Sequence, residues 1–125
     1  MKISIDDNRK IFDIQEEFSA LFPYLKIDFF SSTHKSGCAS AKKFIKHGSK
    51  TLNECRSIHK KGKITITPDM TVDELEQTFD AKYGLGVQIF RKSGKVWLET
   101  TVTDSWTLKE QNKQGEELSK AIDIK

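Results

Sequence analysis

The sequence is poor in the residues that staple, break or anchor chains. Its 125 residues hold 2 cysteines, 2 prolines and 2 methionines. Two cysteines, Cys38 and Cys55, are too few for a disulfide framework. No apolar run approaches the ~18 residues of a membrane span. The opening Met1-Lys2-Ile3-Ser4-Ile5-Asp6-Asp7 reaches acid at once and has no signal-peptide apolar core. These absences weigh against membrane, secreted and disulfide-scaffold classes. The expectation is a cytoplasmic protein with free thiols and no membrane partner.

What is present is enough to fold. Hydrophobic residues make up 36% of the chain and charged residues 31%, with 8 phenylalanines among the aromatics. A chain of this length buries roughly two-thirds of its unfolded surface, so one domain spanning 1–125 needs no metal or disulfide. The net charge is only +3, but it is unevenly spread. Between residues 34 and 63 lie nine cations (Lys35, Lys42, Lys43, Lys46, Lys50, Arg56, Lys60, Lys61 and Lys63) against one acid, Glu54. Such a stretch attracts anions by one face, or merely solubilises a loop. Residues 31–50 show no period and read as a basic loop.

An internal repeat organises the rest. Lys2-Ile3-Ser4-Ile5 matches Lys63-Ile64-Thr65-Ile66, and at the same offset Ile11, Ile14, Phe18 and Phe22 match Val72, Leu75, Phe79 and Tyr83. After a one-residue slip, Ile27-Asp28-Phe29-Phe30 meets Val87-Gln88-Ile89-Phe90. The units, 2–30 and 63–90, each read strand, amphipathic helix, strand. Pro23 and Gly84 stop the two helices at corresponding places. Asp7 is a plausible N-cap for the first helix. Thr71-x-x-Glu74, Thr51-x-x-Glu54 and Thr107-x-x-Glu110 carry the capping-box signature. They predict helices from Val72, from Leu52 to about His59, and from Leu108 toward Ile122, the last weakened by Gly115. Strands are expected at 2–5, 25–30, 63–66 and 86–91.

The fold class expected is α+β: a two-layer sandwich from a duplicated βαβ unit (ferredoxin-like βαββαβ), plus an added hairpin strand and a C-terminal helix. Right-handed crossovers would place both long helices on one face of a single four-stranded sheet. A β-grasp-type second half is the alternative. In the hairpin, Ser93-Gly94 is taken as the turn, which sets Phe90 opposite Trp97 and Ile89 opposite Leu98. Phe90 and Trp97 should then share the face away from the core, near Trp106. The C-terminal helix is expected to cover them; otherwise they form an exposed patch.

Chemistry-bearing motifs are few. His34, Cys38, Cys55 and His59 suit zinc by type. The Cys-x2-Cys knuckle is missing, however, and Cys55 sits on the apolar stripe Leu52/Cys55/Ile58, so no metal or other cofactor is expected. Base-stacking aromatics are absent from the first and third strands, whose outer positions are Lys2, Ser4, Lys63 and Thr65. That disfavours a sheet-surface RNA reader. Walker and Gly-x-Ser-x-Gly motifs are also missing. Asp73, Glu74 and Glu76 are in a helical first turn that favours acids without any catalytic role.

The sequence therefore points to a small non-catalytic module that binds another macromolecule, with a protein partner favoured. The candidate hairpin surface is Phe90, Arg91, Lys92, Lys95, Trp97 and Trp106. The alternative is non-specific nucleic-acid binding through Lys35, Lys42, Lys43, Lys46, Lys50, Arg56, Lys60 and Lys61. Lysine point charges there would hold phosphate without reading bases. A third class is a small enzyme with no site visible in sequence.

Overall fold

The computed structural model describes residues 1–30, 50–55 and 59–123, with side chains throughout except at 55 and 121–123. Lys35, Lys42, Lys43, Lys46, Arg56, His34 and Cys38, with most of the 31–50 loop, lie outside the described residues. Among those described, the protein is a mixed α+β fold of five strands and four helices. In chain order these are β1 (Lys2–Ile5), α1 (Ile11–Leu21), β2 (Leu25–Phe30), α2 (Leu52–Cys55), β3 (Gly62–Thr65), α3 (Val72–Tyr83), β4 (Gly86–Ser93), β5 (Val96–Glu99) and α4 (Leu108–Asp123).

The helix starts are chemical. At α3 the Thr71 hydroxyl accepts the Glu74 N–H at 3.1 Å. At α4 both arms of the box close: the Thr107 hydroxyl accepts the Glu110 N–H at 3.1 Å, and the Glu110 carboxylate accepts the Thr107 N–H at 3.3 Å. At α2 the Glu54 carboxylate takes the Thr51 N–H at 3.0 Å. Replacing Thr107 with Ala is expected to cost about 1 kcal/mol, measured as a lowered urea midpoint. No change would mean that the backbone bonds from Leu108 to Met70 and from Lys109 to Pro68 hold this end alone.

Asp7 is not the cap of α1. Lys10 occupies that position and makes no side-chain cap. The orphan Ile11 N–H is taken by the Lys50 carbonyl at 3.0 Å, while Leu52 and Asn53 donate back to the carbonyls of Arg9 and Asp7. Backbone groups at and just before the start of α2 thus replace a side-chain cap, and the Asp7 carboxylate meets His59 instead. The helix ends follow the stop signals. Phe22 closes α1 just before Pro23. Gly84 closes α3 at φ 63°, a left-handed conformation in which its N–H reaches back to Asp80 and Phe79.

Apart from Phe30 and Phe90, which are half-buried, every repeat-matched apolar position is buried. Ile3 and Ile64, Ile5 and Ile66, Ile11 and Val72, Ile14 and Leu75, Phe18 and Phe79, and Phe22 and Tyr83 all belong to one core cluster. Leu25, Ile27 and Phe29 from β2 and Val87 and Ile89 from β4 join them. Burial alternates along β2, giving it a core face and an outer face, whereas β4 is buried on both faces from Gly86 to Ile89.

Strand pairing departs from the expected single sheet. β1 pairs with β3 in a two-stranded sheet, and β2, β4 and β5 form a separate three-stranded sheet in that order, all antiparallel. Each half of the repeat contributes one strand to each sheet. Repeat mates face one another: Ile3 is opposite Ile64, and Asp28 is opposite Gln88. Each ladder therefore has a local two-fold running between equivalent residues. Periodicity dictates which face of a strand is apolar, but not which strand lies beside it.

The hairpin register also differs. Ser93 pairs with Val96, Lys92 with Trp97, Arg91 with Leu98 and Phe90 with Glu99, so the two-residue loop is Gly94-Lys95. Gly94 has φ 63° and no non-glycine described has a positive φ. Glycine at the first central position with an ordinary residue second is the type II′ pattern. The shift from the expected register is two residues, which preserves faces. Phe90 and Trp97 still share one.

Candidate functional site

The outer face of the three-stranded sheet follows from its registers. Lys26 and Asp28 on β2, Phe90 and Lys92 on β4, and Trp97 and Glu99 on β5 all point away from the core. Lys26, opposite Phe90, sits at the centre. Its ammonium lies 5.0 Å from the Phe90 ring centroid and 5.3 Å from that of Trp97. Asp28 steadies it at 3.5 Å, and Gln15 from α1 donates to Asp28 at 3.1 Å. A cation held between two ring faces is attracted by their negative quadrupoles. Phe30 packs over Gly86, where a Cβ would come within 2.4 Å of its ring, so only glycine fits beneath it.

The structure splits the predicted hairpin set. Phe90, Lys92 and Trp97 belong to the outer face, and Lys95 is exposed in the turn. Arg91 points the other way. Its Nη1 donates to Gln111 at 3.0 Å and its guanidinium lies 5.7 Å from the Trp106 ring. The Arg91 Nε is buried without a hydrogen-bond partner. The C-terminal helix does not cover Phe90 and Trp97 as expected. Instead α4 lies across the opposite side of the hairpin, where Gly115 lets it approach the backbone of Lys92 and the Ser119 hydroxyl accepts the Gly94 N–H. Trp97 is 37% exposed.

Sequence reasoning missed Lys26, whose role depends on the β2–β4 register. It also missed the exposed aliphatics. Val96 is 57% exposed, Leu98 42% and Val102 96%; together with Trp97 and Trp106 they are five of the seven exposed large hydrophobics among the described residues.

The basic segment is described only in part. Lys50, Lys60 and Lys61 are exposed, and the last two line an open depression of about 310 Å³ with Lys82 and Tyr83. Of the four zinc-type residues, only His59 has a described side chain, and its Nδ1 lies 3.0 Å from an Asp7 carboxylate oxygen. No group of three or more potential metal ligands occurs among the described residues. A larger open groove of about 610 Å³ runs between the end of α1 and α4, with Lys109 and Lys113 among Asp69, Glu116 and Glu117 on its walls. On α4 the hydrogen bond and negative charge of Glu116 raise the pKa of Lys120, an exposed pair one helical turn apart. No helix described is long and apolar enough to cross a membrane.

No protein-family model, curated protein or solved structure matches this chain.

Proposed function

We propose that this protein is a non-catalytic interaction module that docks another protein chain through its β4–β5 hairpin, on a scaffold read as a duplicated βαβ unit. The observation that carries the reading is the concentration of exposed Val96, Trp97, Leu98, Val102 and Trp106 within eleven residues of chain. Those on β5 lie on both faces of the hairpin, Trp97 on the outer one and Val96 and Leu98 on the other, so exposed apolar side chains flank β5 on either side. Tryptophan flanked by cations is the composition of a binding hot spot: a large rigid ring with charges that orient the partner. Lys26, Lys92 and Lys95 supply those charges around Trp97. Nucleic-acid binding remains the alternative; it rests on a basic segment of which Lys50, Lys60 and Lys61 have a described position.

A photoreactive phenylalanine analogue at position 97, and separately at position 12 as an exposed control, tests the reading in living cells. A discrete covalent adduct is expected from position 97 and not from position 12. No adduct at 97, or the same adducts from both, would overturn it.

A further inference from the structure

We propose that the chain docked on this hairpin is a second copy of the same protein, joined antiparallel along β5 so that two three-stranded sheets become one of six. The inference rests on the reading of the hairpin as a docking surface and names its occupant.

The backbone points first to an open edge. The Ile89 carbonyl accepts the Thr100 N–H at 3.3 Å, and the Lys92 N–H reaches the Tyr24 carbonyl at 2.9 Å. Ile89, Arg91 and Ser93 thus turn their polar groups toward β5, and Phe90 and Lys92 toward β2. In an antiparallel ladder the partners alternate likewise. Val96 and Leu98 bond inward to β4, which leaves the N–H and C=O of Trp97 and Glu99 directed outward.

The other exposed backbone of this sheet is covered. Gln15 donates to the Ile27 carbonyl at 2.9 Å and Ser19 to the Leu25 carbonyl at 3.1 Å, which blunts the β2 edge. Beyond the end of β5, the Glu76 carboxylate accepts the Ile89 N–H at 3.3 Å and the Thr100 hydroxyl bonds the Ile89 carbonyl at 2.8 Å. β5 is flanked by β4 on one side and by no described strand on the other, and all four of its residues are exposed. Natural sheets usually protect such an edge, because it is a template for another strand.

The side chains then select the strand that fits. Lys95-Val96-Trp97-Leu98-Glu99 reads cation, aliphatic, aromatic, aliphatic, anion. The order is self-complementary when run antiparallel. With a two-fold at Trp97, the two indoles face each other, each Val96 faces a Leu98, and each Lys95 faces a Glu99. Trp97 is a residue whose backbone points outward, so the central pair is also hydrogen-bonded. A parallel arrangement would set lysine against lysine, and an antiparallel shift centred on Leu98 would lose both ion pairs. Cross-strand aromatic, aliphatic and opposite-charge pairs are the units that stabilise sheets. Five residues a side make a small interface of the transient class, so dissociation is expected on the order of 100 µM.

Sedimentation equilibrium of the full chain between micromolar and millimolar concentration tests this, with Lys95→Glu and Glu99→Lys as exposed substitutions that leave the core intact. The wild type should form dimers, and each single variant should dimerise at least tenfold more weakly. Mixing the two variants should restore association as a heterodimer, because the first presents only anions at the ends of β5 and the second only cations. The double variant should self-associate like the wild type. A wild type that stays monomeric throughout, or a dimer indifferent to both substitutions, would overturn the inference. If the position 97 adduct contains a different protein while the purified chain stays monomeric, the docking surface stands and the self-pairing falls. If no adduct forms, the surface itself is refuted.

Discussion

Truncation of Phe79 to Ala should remove about 3–5 kcal/mol of stability, the usual cost of deleting a fully buried aromatic ring. Phe79 has no exposed surface, and its ring meets that of Phe29 edge-on at 5.9 Å and 89°. This contact fastens α3 to β2, which belongs to the other half of the repeat. The mutation therefore loosens the joint between halves as well as leaving a void. Phe18, the repeat mate, is equally buried, with its ring 5.5 Å from Phe22, and should behave alike. Domains of this size have total stabilities of about 5–15 kcal/mol, so either variant should be substantially unfolded in modest urea. A loss below about 1 kcal/mol in urea melts would mean that the core closes around the missing ring.

Gly115→Leu is expected to destabilise by about 1–3 kcal/mol through overpacking, against the direction that helix propensity predicts. In an exposed helix interior, glycine is roughly 0.8–1 kcal/mol worse than a good helix former, so the exchange would normally stabilise. At position 115 a Cβ would lie 2.9 Å from the Tyr24 Cβ, 3.2 Å from the Arg91 Cγ and 3.2 Å from the Lys92 carbonyl oxygen. Two of these neighbours are backbone or next to it and cannot swing aside. The helix would have to lift off β4, which strains the bonds that the Tyr24 N–H donates to the Asn112 side-chain oxygen and the Gly94 N–H to the Ser119 hydroxyl. Urea melts give the magnitude. A gain in stability would show that α4 sits on the sheet less closely than these distances require.

Gly115 also illustrates what sequence reading could reach. It reads as a weakness in a helical pattern, yet α4 runs through it from Leu108 to Asp123. The reason for a glycine there lies in a contact with Tyr24 and Lys92, and no local pattern reports that. The starts of α2, α3 and α4 were legible because Thr-x-x-Glu acts within one turn, whereas that of α1 was not, because its first N–H is taken by the distant Lys50 carbonyl. The core was legible because burial follows periodicity, so the repeat mates Phe18 and Phe79 could be named together. The separation into two sheets was not legible, since Lys-Ile-Ser-Ile and Lys-Ile-Thr-Ile offer the same alternating faces to any neighbour. The hairpin register follows from Gly94, whose positive φ suits the first position of a two-residue turn and sets Ser93 against Val96. Lys26 became part of the site only when β2 was set against β4.

The exchange of strands between the repeat halves has a consequence for the time course of folding. β1 finds its partner in β3, and β2 finds its partner in β4, each about sixty residues along the chain. Neither ladder can start from neighbouring residues, so both must wait for a long loop to close before any hydrogen bond offsets the lost entropy. Only β4 and β5 meet across a two-residue turn. Hairpins of this kind form in roughly 1–10 µs, whereas topologies dominated by distant pairings reach the native state in milliseconds to seconds. Among the described strands, the segment that ends with its edge bare is thus the one able to assemble early, and it would present Trp97 to its surroundings while the other described strands are still searching.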